Sequence, residues 1–397
     1  MSALKIVAIV LLNLFLSLSL VVFGFAFTIN MTALNADYVT SQLDDLPVSS
    51  LVEEAEFGEI IEENPELADL IEGVIIENEP ELKERAGAAI HIVYDYLEGR
   101  SQSLDLALTL RDTVLDPDFT ITIIEQADFT PLIEEMVAEL IAEVELPYGL
   151  SVEPHLDDIA QELEPWAKQQ AAIAVPPIYD YILGQSQSLD VVISLEPVKE
   201  ILKDTLEQDF LESPPPEFSG LSPAELEQEF DTLFEEFAAD IDSTLEIDEE
   251  LTDSEMPSQV AESLEDAEEA LGEAQRYIGY FNLGYGLLIG FIVLLVLGII
   301  LIYREVKGAT RTLGATFLTY GVINLIAVFV ARSLARPPIA RLDIPLSLQT
   351  WLTQLINSSL TPLLILAIVF LIVGAALLTV FFIYRRRQTP MGTEMPL

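Results

Sequence analysis

The chain has 397 residues, of which 66 are acidic and 18 basic, giving a formal net charge of −48, with no cysteine and only two histidines. Such a charge repels nucleic acid, which excludes DNA and RNA as partners, and draws diffuse cations within a screening length of about 8–10 Å. Disulfide stapling is excluded too, and two histidines leave almost nothing for an imidazole-built zinc site or a His-based triad.

The charge is unevenly spread. Only Glu305, Asp343 and Glu394 lie outside residues 30–277, so 63 acidic residues face eight Lys and Arg inside that segment, a net of −55, while the rest of the chain nets +7. Apolar runs bracket the segment. A bilayer core of about 30 Å needs roughly 20 apolar residues of helix, and the first run, residues 6–27, meets that as an anchoring span. Gly24-Phe25-Ala26 offers the alternative of signal cleavage, which would leave the same exposed domain.

An internal repeat dominates the acidic segment. Tyr94-Asp-Tyr-Leu-Glu-Gly-Arg-Ser-Gln-Ser-Leu-Asp105 recurs as Tyr179-Asp-Tyr-Ile-Leu-Gly-Gln-Ser-Gln-Ser-Leu-Asp190, identical at nine of twelve positions. This predicts two copies of one module, residues 30–135 and 136–215, with the repeat itself starting near residue 50. Helices are expected over Glu79–Glu98 and over Leu156–Leu183, the second interrupted at Pro176-Pro177, each stopped by a glycine, Gly99 or Gly184. Leucines alternating from Leu104 to Leu110, and Leu189, Val191, Ile193 and Leu195, predict a strand in each copy, paired across a pseudo-two-fold. Glu196-Pro197 and Ser222-Pro223 open further helices.

Residues 216–256 read as a helix followed by an acidic linker, and 257–279 as a stalk helix. Val260, Leu264, Ala267, Leu271, Ala274, Ile278, Phe281 and Tyr285 recur at alternating four and three, a seam over 257–285 that runs into the second span. Packing on the chain itself and self-association, or another protein partner, both remain open for it. Spans are expected at 280–303, 313–331 and 360–384, with an outer loop at 332–359 whose residues Leu346–Ile356, carrying Trp351, form an interfacial helix, and a cytoplasmic tail at 385–397. Lys5, the cluster Arg304, Lys307 and Arg311, and the run Arg385–Arg387 then share one side. Both termini are cytoplasmic on that reading, and residues 30–277 extracytoplasmic. Arg332, Arg336 and Arg341 fall on the outer side, where docking on the acidic domain and interfacial snorkelling are the two explanations.

Little chemistry is visible. Gly-x-Ser-x-Ser in each copy reads as a helix cap and turn, since a nucleophile elbow needs Gly-x-Ser-x-Gly. His91 reads as a packed or surface residue, and His155 as a helix-start residue beside Asp157 and Asp158. Asp240, Asp242, Glu246 and Asp248 have some of the spacing of a calcium loop, without its glycine or its last glutamate. No catalytic, cofactor-binding or metal-ligating residue is therefore assigned. The spans hold no ionisable side chain at mid-depth, and their Asn13, Asn282, Thr319 and Asn324, with Gly286-x-x-x-Gly290 and Gly374-Ala375-Ala376, fit helix packing.

One span, a large exposed domain and three more spans, with Arg304-Glu305 and Gly314-Ala315-Thr316 between the second and third, resemble the four-span permease subunits of ABC transporters used in macrolide export and cell division. That resemblance implies a subunit of an ABC-type transport complex. The residues themselves point to an α-helical membrane protein with four transmembrane helices and an extracytoplasmic α+β, mostly helical, domain of two repeated modules. Its expected role is interaction or structure in the cell membrane of a prokaryotic envelope, without enzymatic activity. A cation-binding or hydrolytic extracytoplasmic domain is the remaining alternative.

Overall fold

The computed structural model describes residues 3–49, 65–142, 152–186, 188–239, 241–247, 256–339 and 344–387, and the chain is mostly helical, at 83%. In chain order the elements are α1 Ala3–Met31, α2 Ala36–Asp44, α3 Pro65–Leu97, α4 Leu106–Arg111, α5 Pro117–Gln126, α6 Thr130–Ala142 and α7 Leu156–Ile182. They continue with β1 Val191–Ser194, α8 Glu196–Glu212, α9 Pro223–Ala238, β2 Thr244–Ile247, α10 Met256–Tyr303, α11 Val306–Ile339, α12 Leu346–Ser359 and α13 Thr361–Arg387. Among the described residues four stretches are long and apolar enough to cross a membrane, Lys5–Met31, Pro257–Tyr303, Val306–Leu334 and Leu346–Arg385, which fits a multi-pass membrane protein. The chain divides into two compact units, one of residues 1–51, 90–103 and 270–397 and one of residues 52–89 and 104–269.

The second, acidic unit is built on the apolar faces of four helices. Val198, Leu202, Leu206 and Phe210 recur every four residues along α8, so a 3.6-residue period puts them on one face, and all are buried. Leu226, Phe230, Phe234 and Phe237, at spacings of four, four and three, form the buried face of α9. Ile159 and Leu163 of α7 and Ile133 and Val137 of α6 close the cluster. Its centre is aromatic, with Phe210 ring centroids 5.4 Å from Phe218 and 5.5 Å from Phe230. Burying each such side chain stabilises by about 1.5–3 kcal/mol.

Three sequence expectations fail in this unit. Residues Leu104–Leu110 are not a strand: Asp105 caps α4 by accepting from the Leu108 N–H at 2.9 Å. Leucine is a good helix former and its alternation says little by itself, whereas Val191-Val192-Ile193 at the matching place in the second copy are β-branched and extended. The strands consequently do not pair with one another. β1 lies antiparallel to β2, with Val191 opposite Ile247 and Ser194 opposite Thr244. Finally, α7 continues through Pro165, Pro176 and Pro177. Each proline removes one helical donor, but Ala174, Val175 and Tyr181 around the pair are buried, and that packing holds the helix together. The helix expected from Glu79 begins earlier, at Pro65.

In the first unit, Leu16 and Leu20 of α1 pack on Leu295 and Ile299 of α10 and Leu313 and Tyr320 of α11. Backbone approaches backbone between α11 and α13. A Cβ added to Gly374 would lie 2.6 Å from the Leu318 amide nitrogen, and one added to Gly321 would lie 2.8 Å from the Ala367 carbonyl oxygen. Gly286 and Gly290, the other expected packing face, have nothing within 4 Å among the described residues. The seam residues of α10, Val260 to Tyr285, are half-buried. Phe23 stacks on Tyr285 with centroids 5.9 Å apart, and the Gln275 amide donates to the Tyr96 carbonyl.

A two-residue turn separates α10 from α11. Arg304 takes the left-handed conformation there, φ 54°, a non-glycine residue serving as a helix stop. The Tyr303 ring folds over Gly308, where a Cβ would sit 2.1 Å from Cδ1, and its hydroxyl meets the Thr312 hydroxyl at 2.8 Å. Across the unit, α12 is fastened to α2. Trp351 Nε1 donates to the Gln42 carbonyl at 3.0 Å, the Ser358 hydroxyl donates to Gln42 Oε1 at 2.7 Å, and Gln354 donates to Asp45 at 2.9 Å. Arg332 donates to the Asn357 carbonyl at 2.9 Å, so it satisfies the end of α12. Arg341 and Asp343 lie outside the described residues, as do the side chain of Arg336 and the tail beyond Arg387.

Candidate functional site

The repeated motif folds alike in both copies as far as its serines. Gly99 and Gly184 adopt φ 76° and 69°, which their lack of a Cβ makes inexpensive. Around them the Gly99 N–H donates to Tyr96 O and the Arg100 N–H to Asp95 O, and Gly184 and Gln185 repeat this with Tyr181 and Asp180. Both are complete Schellman stops. The Ser101 hydroxyl then donates to the Ser103 carbonyl at 2.8 Å, and Ser186 to Ser188 at 2.7 Å. These serines close a turn, and neither is held by a base.

The carboxylates of the motif are used differently in the two copies. Asp95 accepts from Arg100 at 2.8 Å, five residues along, whereas Asp180 accepts from Arg111 of α4 at 2.8 Å. Position 185 is glutamine, so the second copy has no local cation and takes a distant one. The structure also joins Thr120 of α5 to the Tyr179 hydroxyl at 2.8 Å.

Around the first copy lies a polar pocket of about 360 Å³, with Asn35, Asp37, His91, Glu98, Arg100 and Asn282 in its wall. His91 Nε2 stands 3.8 Å from Asp37, with the two side chains 46% and 90% exposed, so water screens the pair. Above it the Tyr94 hydroxyl donates to the Ala33 carbonyl at 2.7 Å, and burial, with the Glu98 charge adding to it, pushes that phenol above its ordinary range. The pocket holds both signs of charge, and Arg100 is already bound by Asp95 and Glu98. His155, expected to answer to Asp157 and Asp158, instead meets Asp209 of α8 at 2.9 Å. Asp242 and Glu246 are exposed, Glu246 on β2 opposite Val192, while Asp240 and Asp248 lie outside the described residues.

Every basic side chain between residues 30 and 277 forms an ion pair. Lys83, Lys168 and Arg276 pair within their own helices with Glu79, Glu164 and Glu273. Arg85 reaches Asp116 at 2.7 Å and lies 4.2 Å above the Phe119 ring, and Lys203 reaches Asp231 at 2.6 Å. Lys199 pairs with Glu196, Arg100 with Asp95 and Arg111 with Asp180. Burial pushes the Asp116 carboxyl up, but hydrogen bonds from Arg85 and from the Asp118 N–H outweigh it and hold the group below its ordinary range. The two segments behind the permease resemblance are in structural use, Arg304-Glu305 as the turn and Gly314 and Thr316 in contacts with α13 and α1. No protein-family model matches the chain, and no curated protein or solved structure matches it either.

Proposed function

We propose that this chain is a non-enzymatic, multi-pass protein of a prokaryotic envelope membrane that displays an acidic, duplicated domain on the extracytoplasmic side for interaction or structural support. The observation that carries the reading is the charge balance at atomic level: all eight cations of residues 30–277 are consumed in ion pairs, against 63 carboxylates in that segment. What faces solvent is a field of one sign, suited to collecting cations loosely or to meeting a basic partner. The identical Schellman stops support duplication, with divergence beginning after the serine turn.

Both termini are cytoplasmic on this reading, following the basic clusters. Because the chain lacks cysteine, single substitutions report cleanly. In intact cells Ser103→Cys should react quickly with a membrane-impermeant maleimide and Thr389→Cys should not. The opposite pattern would invert the topology and remove the acidic domain from the outer side.

A further inference from the structure

Between α1 and α11 lies a cavity of about 510 Å³, a size typical of small-molecule sites. Its walls are two stripes at helical spacings of three or four residues, Asn13, Ser17 and Val21 on α1 and Thr312, Thr316 and Thr319 on α11. Arg311 and Tyr303 stand at one end, and Val21 and Ile323, 44% and 57% exposed, at the other. The lining is thus polar and cationic at one end and apolar at the other, within helices that otherwise present hydrocarbon.

Its hydrogen-bond inventory is unbalanced. Asn13 Oδ1 accepts from the Thr316 hydroxyl at 2.5 Å, which leaves the two amide hydrogens of Asn13 without an acceptor among the described residues. The Tyr320 hydroxyl, on a side chain only 5% exposed, is packed against Gly24 of α1, where an added Cβ would lie 2.3 Å from it. Arg311 lies 5.9 Å from the Phe381 ring and forms no ion pair with a described residue. No carboxylate lines the cavity among the described residues, in a chain with 66 of them. Unmet donors are costly beside hydrocarbon, and the free amide of Asn13 in one lining with the Arg311 guanidinium calls for an anion. Simple helix packing would explain the Asn13–Thr316 bond but not the open volume beside it.

We propose that this groove binds an anionic phospholipid, with Arg311 and the Asn13 amide holding the phosphodiester and an acyl chain lying along Val21 and Ile323. Arg311 supplies the planar donor pair suited to phosphate. Thr319, an exposed residue of α11, lines the groove along the proposed course of that chain.

Native mass spectrometry of the full-length protein, taken from vesicles of equal phosphatidylcholine and phosphatidylglycerol, tests this. A single phosphatidylglycerol should be retained in preference to phosphatidylcholine. Arg311→Gln should lower that retention about tenfold by removing a charge-assisted bond, and Thr319→Leu by a similar factor through filling the groove with every charge left in place. Arg385→Gln, which removes a cation that does not line the groove, should change nothing. Excess glycerol phosphate should not displace the lipid; if it does, the headgroup alone is recognised and the acyl-chain contact is wrong. Equal retention of both lipids, or undiminished retention in Arg311→Gln and Thr319→Leu, would overturn the site.

Discussion

Replacing Gly374 by alanine tests the central packing of the membrane unit. The new Cβ would meet the Leu318 nitrogen at 2.6 Å, the Gly314 oxygen at 2.9 Å and the Leu318 Cα at 3.0 Å, all of it backbone that cannot rotate away. Restoring ordinary contact of about 3.5–4 Å means moving α11 from α13 by roughly 1 Å, and dispersion contacts along the whole seam weaken together. The expected cost is about 1–3 kcal/mol, the range for forcing a methyl group into a filled site. Gly290→Ala is the matched control, since nothing lies within 4 Å of that glycine, and its effect should be nil or slightly stabilising through helix propensity. Equilibrium unfolding of the full chain in mixed detergent micelles measures both. Gly314→Ala opposes the same backbone approach, so the double variant with Gly374→Ala should cost less than the sum of the single ones. Equal stability of Gly374→Ala and Gly290→Ala would refute the close approach of α11 and α13.

Two other outcomes follow from the acidic unit. Asp116 is depressed in the folded state, so its stabilising contribution is present above the unfolded value of about 3.9 and disappears as pH falls through the lower folded value. The stability gap between wild type and Asp116→Asn should therefore be constant above about pH 5 and shrink as pH falls below about 4 towards the lower folded value, followed by Trp166 fluorescence in a Trp351→Phe background; a gap that widens as pH falls would contradict the Arg85 bond as its source. Calcium should bind the full chain weakly and lose its heat signal as salt rises to about 0.5 M, because screening removes diffuse attraction, whereas a salt-resistant micromolar site in calorimetry would show a built ligand set.

The spans were legible because length and hydropathy alone decide them. Segment Leu104–Leu110 was not, because its alternating leucines read as a strand while the bonds that start α4, from the Leu108 N–H to Asp105 and from the Leu106 N–H to Glu268, include one to a residue 162 positions away. No local signal marks Arg304 for a left-handed turn, since that role usually falls to glycine. The bonds of Trp351, Gln354 and Ser358 to α2 join residues more than 300 positions apart, beyond any periodicity. Asn13 and Thr319 were visible as polar residues in apolar runs. That they face one cavity with Arg311, while Asn282 faces another and Asn324 donates to the Tyr320 carbonyl, depends on how the helices are turned.

The turn at Arg304 and Glu305 leaves no slack between the two helices it joins. One residue inserted into α10 near Ile300 would advance everything beyond it by about 1.5 Å and swing it by about 100°. A longer loop could absorb such a step, but here Tyr303 is already folded over Gly308 and bonded to Thr312. The phase of α10 is thus handed directly to α11, and through it to the stripe that carries Arg311, Ala315 and Thr319. Related chains that keep this hairpin should differ in it by substitution and not by length, with insertions and deletions confined to the connections elsewhere.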